Sequence, residues 1–479
     1  MDIPRSKAKI VCTLGPATRS VETIAALIQA GMDVVRLNFS HGTQEDHLLT
    51  LQNARQAAKA TGMELTILQD LQGPKIRIGD LSVPSIELKA GEQFTITTDP
   101  LVGDRGRVST TYRNLTQDVR QGDSILLDDG KIRLKAVRVK GNDVQCSVEV
   151  GGTLSAHKGI NLPGVAVSMP SLTEKDRRDL EFGLKQGVDY VALSFVRTSG
   201  DIRELREVMT GLTDKGQVPP IIAKIEKPQG VSGIDQIIGE ADGIMIARGD
   251  LGVEMPPEDV PVLQKMIIRK CNQAGKPVIV ATQMLESMIS KPTPTRAEAS
   301  DVANAVLDGG DAVMLSGETS VGKYPLEAVQ IMDKIIRKAE AGYAGGIRVT
   351  ERSHASVENR LDALGRAACV LAEQMNAAAI VAVTRSGQTA KVISRYRPRP
   401  RIIAITDRPG ILRRLNLFWG VQGVVIDRLA DDSDVALHDI QERLVDTNMV
   451  QRGEYVVVLA GQPFFAQGST NFIKVERVA

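Results

Sequence analysis

Short runs of β-branched and apolar residues recur along the chain, each followed by polar or glycine residues and then by a stretch with apolar residues at helical spacing. Eight such runs read in order as Lys9–Leu14, Asp33–Phe39, Leu65–Asp70, Tyr190–Val196, Ile221–Glu226, Gly243–Arg248, Pro277–Thr282 and Ala312–Ser316. Val21, Ile24, Leu27 and Ile28, closed by Gly31, predict a helix after the first run. Ser171-Leu-Thr-Glu174 has the capping-box spacing and is expected to open the helix before the fourth. Eight consecutive strand–helix units predict a TIM (β/α)8 barrel.

The series is interrupted once. Between Asp70 and Pro170 the helical period gives way to short alternating segments (Ile86–Leu88, Phe94–Thr97, Val144–Val150) separated by Gly-Asp, Asp-Gly and Gly-Asn turns, which predicts an inserted β domain. Past Gly346 a new α/β pattern begins, with strands expected at Ala379–Thr384, Arg401–Thr406, Val421–Ile426 and Tyr455–Ala460. The expected division is a barrel over 1–70 and 171–345, a β-barrel lid over 71–170 and a C-terminal α/β domain over 346–479.

Composition narrows the function classes. The 479 residues carry 59 basic and 58 acidic side chains, a net charge of +1, so no general affinity for nucleic acid or an anionic membrane follows. The charged N-terminal stretch lacks an apolar core and no run is long enough to span a bilayer, which leads us to expect a cytoplasmic protein. Cys12, Cys146, Cys271 and Cys369 are far apart in apolar contexts and are expected to be buried thiols.

A TIM barrel builds its active site at the carboxyl ends of its strands, and here those ends are unusually polar. They carry Arg36, Asn38 and Ser40 with His41 just beyond, then Asp70, Ser194 and Arg197, Lys224 and Glu226, Arg248-Gly249-Asp250, Thr282-Gln283, and Ser316 with Glu318. Lys224 and Glu226 are two apart and share one face of their strand. Glu226 and Asp250 end adjacent strands, a pair of hard oxygen ligands suited to Mg²⁺ or Mn²⁺ completed by substrate oxygens. Arg36, Lys224 and Arg248 bring cations toward the same mouth, as a phosphorylated substrate requires. The five histidines form no Ser-His-Asp pattern, and no GxxxxGK loop occurs.

Read together, Lys9–Thr18, Arg36–Gly42, Lys158–Gly164, Lys224-Ile-Glu226, Met245–Glu254, Ala281–Met288, Pro294–Glu298 and Met314–Thr319 resemble the pyruvate kinases over essentially the whole chain. The resemblance implies transfer of a phosphoryl group from phosphoenolpyruvate to ADP, giving pyruvate and ATP, and a homotetramer. It implies that Glu226 and Asp250 hold the divalent metal, that the amides of Gly249 and Asp250 receive the substrate carboxylate, and that Lys224 and Arg36 meet the phosphoryl group. Thr282 and Ser316 would belong to the relay that protonates carbon. Asn38, His41, Arg77 and Lys158 would face the nucleotide, with a second Mg²⁺ arriving on ADP. A metal-dependent aldolase or lyase acting on pyruvate or phosphoenolpyruvate is the rival reading; it has no need of the Arg36–Gly42 stretch or of the lid.

Two further expectations concern regulation and monovalent cations. Thr384-Arg385-Ser386-Gly387-Gln388-Thr389 follows a strand and opens a helix at about Ala390, a phosphate-binding arrangement where the resemblance places an allosteric phosphate. The resemblance implies that relatives answering to fructose 1,6-bisphosphate meet its second phosphate with Trp and Arg on a later loop; the counterpart here, Asp427–Asp434, is mostly acidic, so a monophosphorylated effector such as AMP or a sugar monophosphate is expected. In K⁺-dependent pyruvate kinases the position of Lys75 is a glutamate, and the cation lies among ligands that include Asn38, Ser40 and Asp70. Lysine at 75, with Leu71, Gln72 and Ile78 changed alongside it, implies an enzyme that carries its own cation beside Asp70 and does not require K⁺.

Overall fold

The computed structural model describes residues 5–165, 167–213, 218–342, 360–430, 432–461, 464 and 470–479. Lys9–Thr13, Met32–Asn38, Thr66–Asp70, Tyr190–Leu193, Ile221–Ile225, Gly243–Ala247, Val278–Ala281 and Ala312–Leu315 close into a barrel, each strand parallel to its neighbours and the last paired back to the first. Every one of the eight apolar runs supplies a strand. Both faces of these strands are covered, so alternation disappears and runs of Val, Ile and Ala remain. Val11, Val34, Leu68, Tyr190, Ile222, Met245, Ile279 and Met314 fill the barrel, and a larger cluster packs its outside against the helices.

Between Asp70 and Tyr190 the chain leaves the barrel, yet the third and fourth strands still pair directly, Ala192 opposite Asp70. The excursion contains a six-stranded sheet and a two-stranded ribbon around a core of its own that includes Phe94, Ile96, Leu134 and Val144. The helix that re-enters the barrel, Glu174–Lys185, is capped two residues later than expected: Thr173 is the N-cap and Asp176, not Glu174, closes the box. Thr173-Glu-Lys-Asp176 offers the same spacing as Ser171-Leu-Thr-Glu174, and Asp176 also accepts from the amide of Gly73, which ties the helix start to the chain leaving for the lid.

The C-terminal region forms a five-stranded sheet in the order Val421–Val425, Arg401–Thr406, Ala379–Val383, Tyr455–Ala460, Phe472–Arg477. The first four are parallel and correspond to the expected strands; the fifth is antiparallel and has no counterpart in the sequence reading. This sheet docks under the amino-terminal end of the barrel. Lys9 Nζ donates to Val421 O at 2.7 Å, Tyr190 Oη to Arg414 O at 2.7 Å, and Arg413 meets Asp189 at 2.8 Å. The division expected between 345 and 346 lies outside the described residues. All four cysteines are buried and free. Among the described residues no helix is long and apolar enough to cross a membrane.

Candidate active site

Lys224 is the centre of the barrel mouth. Its strand alternates, so Ile222, Lys224 and Glu226 share the inner face, and the ammonium reaches Glu226 at 2.9 Å, Asp70 at 3.2 Å and the Ser194 hydroxyl at 2.7 Å. Burial alone would favour the neutral amine, but Asp70 and Glu226 outweigh it and hold the Lys224 pKa above the ordinary lysine value. The two carboxylates respond differently. Burial pushes the Asp70 carboxyl up, but Lys224 and Arg36 (2.7 Å) prevail and hold it below the usual aspartate range. Among the described residues Glu226 has only Lys224 as an ion-pair cation; burial, with the Asp250 charge acting in the same sense, raises its pKa.

That asymmetry is the test of a metal at this position. Glu226, buried, and Asp250, lining the cleft, form an anionic pair short of positive charge, with hard oxygen donors of the kind Mg²⁺ and Mn²⁺ prefer. Among the described residues no three His, Cys, Asp or Glu side chains group into a complete cage, so a cation held by these two carboxylates would need further oxygens from substrate or water. Glu226 is fixed from behind by the Phe195 amide, which donates to it at 2.7 Å from a backbone at φ +54°.

Thr282 and Gln283, at the end of the seventh strand, both occupy the left-handed region, at φ +69° and +56°. A β-branched residue there is strained, and such strain persists only where its surroundings fix it. The Thr282 hydroxyl accepts from the Gly249 amide at 2.7 Å and donates to Ala281 O at 2.6 Å, while Arg248 donates to Thr282 O at 2.8 Å. Arg248 is thereby corrected from substrate-facing cation to clamp, because its guanidinium is drawn outward to Asp301 at 2.7 Å. Ser316, at the end of the eighth strand, keeps its Oγ out of solvent with no hydrogen-bond partner among the described residues. Its amide, like that of Leu285, donates to the buried Glu318.

Arg36 donates to Asp70 and to the Thr13 hydroxyl (3.0 Å), leaving part of its guanidinium unspent. Asn38 accepts from the Ser40 amide, and His41 is exposed just beyond. From the lid, Arg77 donates to His157 O at 2.9 Å and Lys158 pairs with Asp128 at 2.8 Å. Partial burial, then Lys75, Arg77 and Arg36, hold the His41 pKa below its ordinary value, so these cations look onto one region. Lys75, expected beside Asp70, forms no ion pair with it within 4 Å. Arg36 and Lys224 already occupy that carboxylate, and Lys75 instead lines the cleft between lid and barrel together with Asp250.

Comparison with known proteins gives this arrangement a family. Residues 5–329 match the model of the pyruvate kinase barrel domain, and 362–476 that of the pyruvate kinase alpha/beta domain. The chain belongs to the pyruvate kinase family. It is 47% identical over 469 residues to the pyruvate kinase of Corynebacterium efficiens, spanning 98% of this chain and 97% of the relative. It is 46% identical over 477 residues to that of Geobacillus stearothermophilus, spanning 99% and 81%. A solved pyruvate kinase from Cryptosporidium parvum superposes with a TM-score of 0.92 at 40% identity, covering 99% of this chain and 96% of its own. Family membership makes the chain a phosphotransferase.

Sequence reasoning missed several of the residues that shape this pyruvate kinase mouth. Thr13, Phe195 and Asp301 hold Arg36, Glu226 and Arg248, yet nothing in their local pattern marks them. Glu254 ends the stretch Met245–Glu254, and its spacing signals no role; it accepts from Asn161 of the lid at 3.0 Å and pairs with Lys227, next to Glu226. The stretch Thr384–Thr389 forms a turn in which Thr384 Oγ1 accepts from the Gly387 amide at 3.0 Å and Ser386 Oγ from Gln388. Gly387, at φ +84°, is the N-cap of the helix Gln388–Arg395, which begins two residues before Ala390. Thr389 bonds Thr470, and Arg385 pairs with Asp407 at 2.6 Å. Of the acidic stretch Asp427–Asp434, Asp431 lies outside the described residues.

Proposed function

We propose that this barrel mouth transfers the phosphoryl group of phosphoenolpyruvate to ADP. The observation that carries the reading is a charged Lys224 held among Asp70, Glu226 and Ser194 at the open end of a closed barrel. Lys224 and Arg36 meet the phosphoryl group as its charge spreads over the equatorial oxygens, an electrostatic task that demands preorganised cations. The amides of Gly249 and Asp250, at the start of a helix, receive the substrate carboxylate, Gly249 giving up its bond to the Thr282 hydroxyl to do so. Glu226 and Asp250 are the residues that would hold Mg²⁺ or Mn²⁺, which when bound supplies positive charge to substrate oxygens. Thr282 and Ser316 orient the proton that goes to carbon, and Asn38, His41, Arg77 and Lys158 receive the nucleotide with its own Mg²⁺. ATP formation from phosphoenolpyruvate and ADP, followed in a coupled assay, tests this directly; consumption of phosphoenolpyruvate without ATP would favour the aldolase or lyase reading.

The same proposal extends to a barrel over 1–70 and 171–345, a lid over 71–170, a regulatory domain over 346–479, and a cytoplasmic homotetramer that needs no K⁺. The turn Thr384–Thr389, whose Thr384 and Ser386 hydroxyls face the Gly387 and Gln388 amides at the start of a helix, is the site of a monophosphorylated effector. AMP, ribose 5-phosphate or glucose 6-phosphate should lower the phosphoenolpyruvate concentration at half-saturation. Strong activation by fructose 1,6-bisphosphate with none by monophosphates would overturn the effector assignment.

A further inference from the structure

Beneath the barrel, where the C-terminal sheet docks, a cavity of about 530 Å³ opens beside the segment that leads into the first barrel strand. Arg5, Lys7, Lys9, Arg399 and Arg401 reach its wall, against the single carboxylate of Glu373. Asp33 answers Arg5 at 3.4 Å and Lys9 at 3.7 Å, and Glu340 accepts from the amides of Lys7 and Ala8. Even with those two counted, five positive charges meet three negative ones among the described residues. Arg399 and Arg401 have no carboxylate within 4 Å among the described residues. Burial lowers the Lys7 pKa and both arginines push it the same way, opposed by Glu340 and Glu373. Cations gathered in a partly buried space repel one another unless an anion joins them.

We propose that this interdomain cavity binds a small phosphorylated metabolite whose phosphoryl oxygens are received by Lys7, Arg399 and Arg401. Guanidinium groups match phosphate oxygens two at a time, which a lone ammonium cannot do. Ala372, Ala377 and Pro400 give the remaining wall an apolar surface for the body of the ligand, and the volume lies within the range of small-molecule sites. The cavity is separate from the Thr384–Thr389 turn. Ala378 and Arg401 stand at the amino ends of their strands and Thr384 at the carboxyl end, roughly 20 Å away at about 3.3 Å per residue. It also reaches the active site by a short path, because the strand starting at Lys9 ends at Thr13, whose hydroxyl accepts from Arg36.

The site carries its own reporter. Lys7 Nζ lies 5.0 Å from the ring centre of Trp419, the one tryptophan of the chain, and donates to Arg399 O at 2.5 Å. Pyrophosphate, free of divalent metal, is the probe, titrated into the full chain with Trp419 fluorescence and calorimetry as readouts. A saturable fluorescence change is expected in the natural protein and equally in a Ser386→Ala/Thr389→Val variant of the effector turn. An Arg399→Gln/Arg401→Gln variant with an unchanged melting temperature should bind at least tenfold more weakly. Undiminished affinity in that arginine variant, or neither saturable fluorescence nor heat in the effector-turn variant, overturns the site.

Discussion

Lys224 keeps its charge in a buried position because two carboxylates outweigh desolvation, and that charge is what the proposed reaction uses. Lys224→Met keeps most of the stem and removes the charge, and losing one preorganised electrostatic contact lowers turnover by ~10²- to 10³-fold. The Michaelis constant for phosphoenolpyruvate should move far less, since Glu226 and Asp250 remain; near-normal turnover would sink the assignment. Lys75 poses a second residue-scale question. It places one positive charge in the lid–barrel cleft with Asp250, although it does not touch Asp70. Two unit charges 4 Å apart repel by about 1 to 4 kcal/mol between the dielectric of water and that of a protein surface, so the proposed independence of K⁺ requires this ammonium to stand within about that distance of the cation's place. Activity in tetramethylammonium buffer should therefore rise less than tenfold when KCl is added at constant ionic strength. Lys75→Glu should create a K⁺ requirement, and a variant indifferent to K⁺ would remove Lys75 from the argument.

At the scale of elements, the loops between strands hold the site more than the strands do. Gly73 sits at φ +69° on the chain leaving for the lid, and a Cβ there would come within 2.9 Å of both Ser194 and Phe195. Ser194 accepts from Lys224, and Phe195 holds Glu226 through its amide, so the clash is relayed to both. Gly73→Ala should cost about 1–3 kcal/mol of stability from strain and overpacking and reduce turnover at least tenfold. Gly62→Ala is the control: φ is +67°, nothing lies within 4 Å, and melting should drop with turnover intact. If both variants lose activity alike, the relay through Ser194 and Phe195 is wrong. These loops also mark where the sequence stops being readable. The barrel strands were legible because burial on both faces leaves unbroken apolar runs, and Lys224 with Glu226 because alternation survives in a strand. Phe472–Arg477 was not, since a half-exposed edge strand spelling Phe-Ile-Lys-Val-Glu-Arg carries no buried run. Left-handed Phe195 and Thr282 contradict their own propensities, and the outward turn of Arg248 depends on Asp301 from a helix 53 residues on, a distance no local pattern spans.

For the whole molecule, the decisive junction is the one that holds the C-terminal sheet to the barrel floor. Asp311, 4% exposed, receives Arg397 at 3.0 Å and the amides of Val278 and Trp419 at 3.0 and 3.2 Å. Burial raises its pKa against these partners, Arg397 first among them. Arg397→Ala therefore leaves a carboxylate buried without its counterion, which costs about 3 kcal/mol, the low end for a broken buried pair because the arginine is partly exposed. The sign of the pH dependence follows. A carboxyl whose folded pKa exceeds its unfolded value of about 3.9 destabilises the fold as pH rises through that interval, and removing Arg397 raises the folded value further. Lowering the pH toward the variant's folded pKa protonates Asp311 and removes the need for a counterion, so the melting deficit of Arg397→Ala should be largest at neutral pH and shrink on acidification. Trp419, whose ring centre lies 5.0 Å from the Arg397 guanidinium and whose amide donates to Asp311, should change its emission in the same variant. Adding Asp311→Asn, which keeps a carbonyl acceptor and discards the charge, should recover part of the lost stability at neutral pH. A deficit equal at pH 7.5 and 5.5, with no recovery in the double variant, would show that Arg397 holds the junction by packing on Trp419 and not by neutralising Asp311.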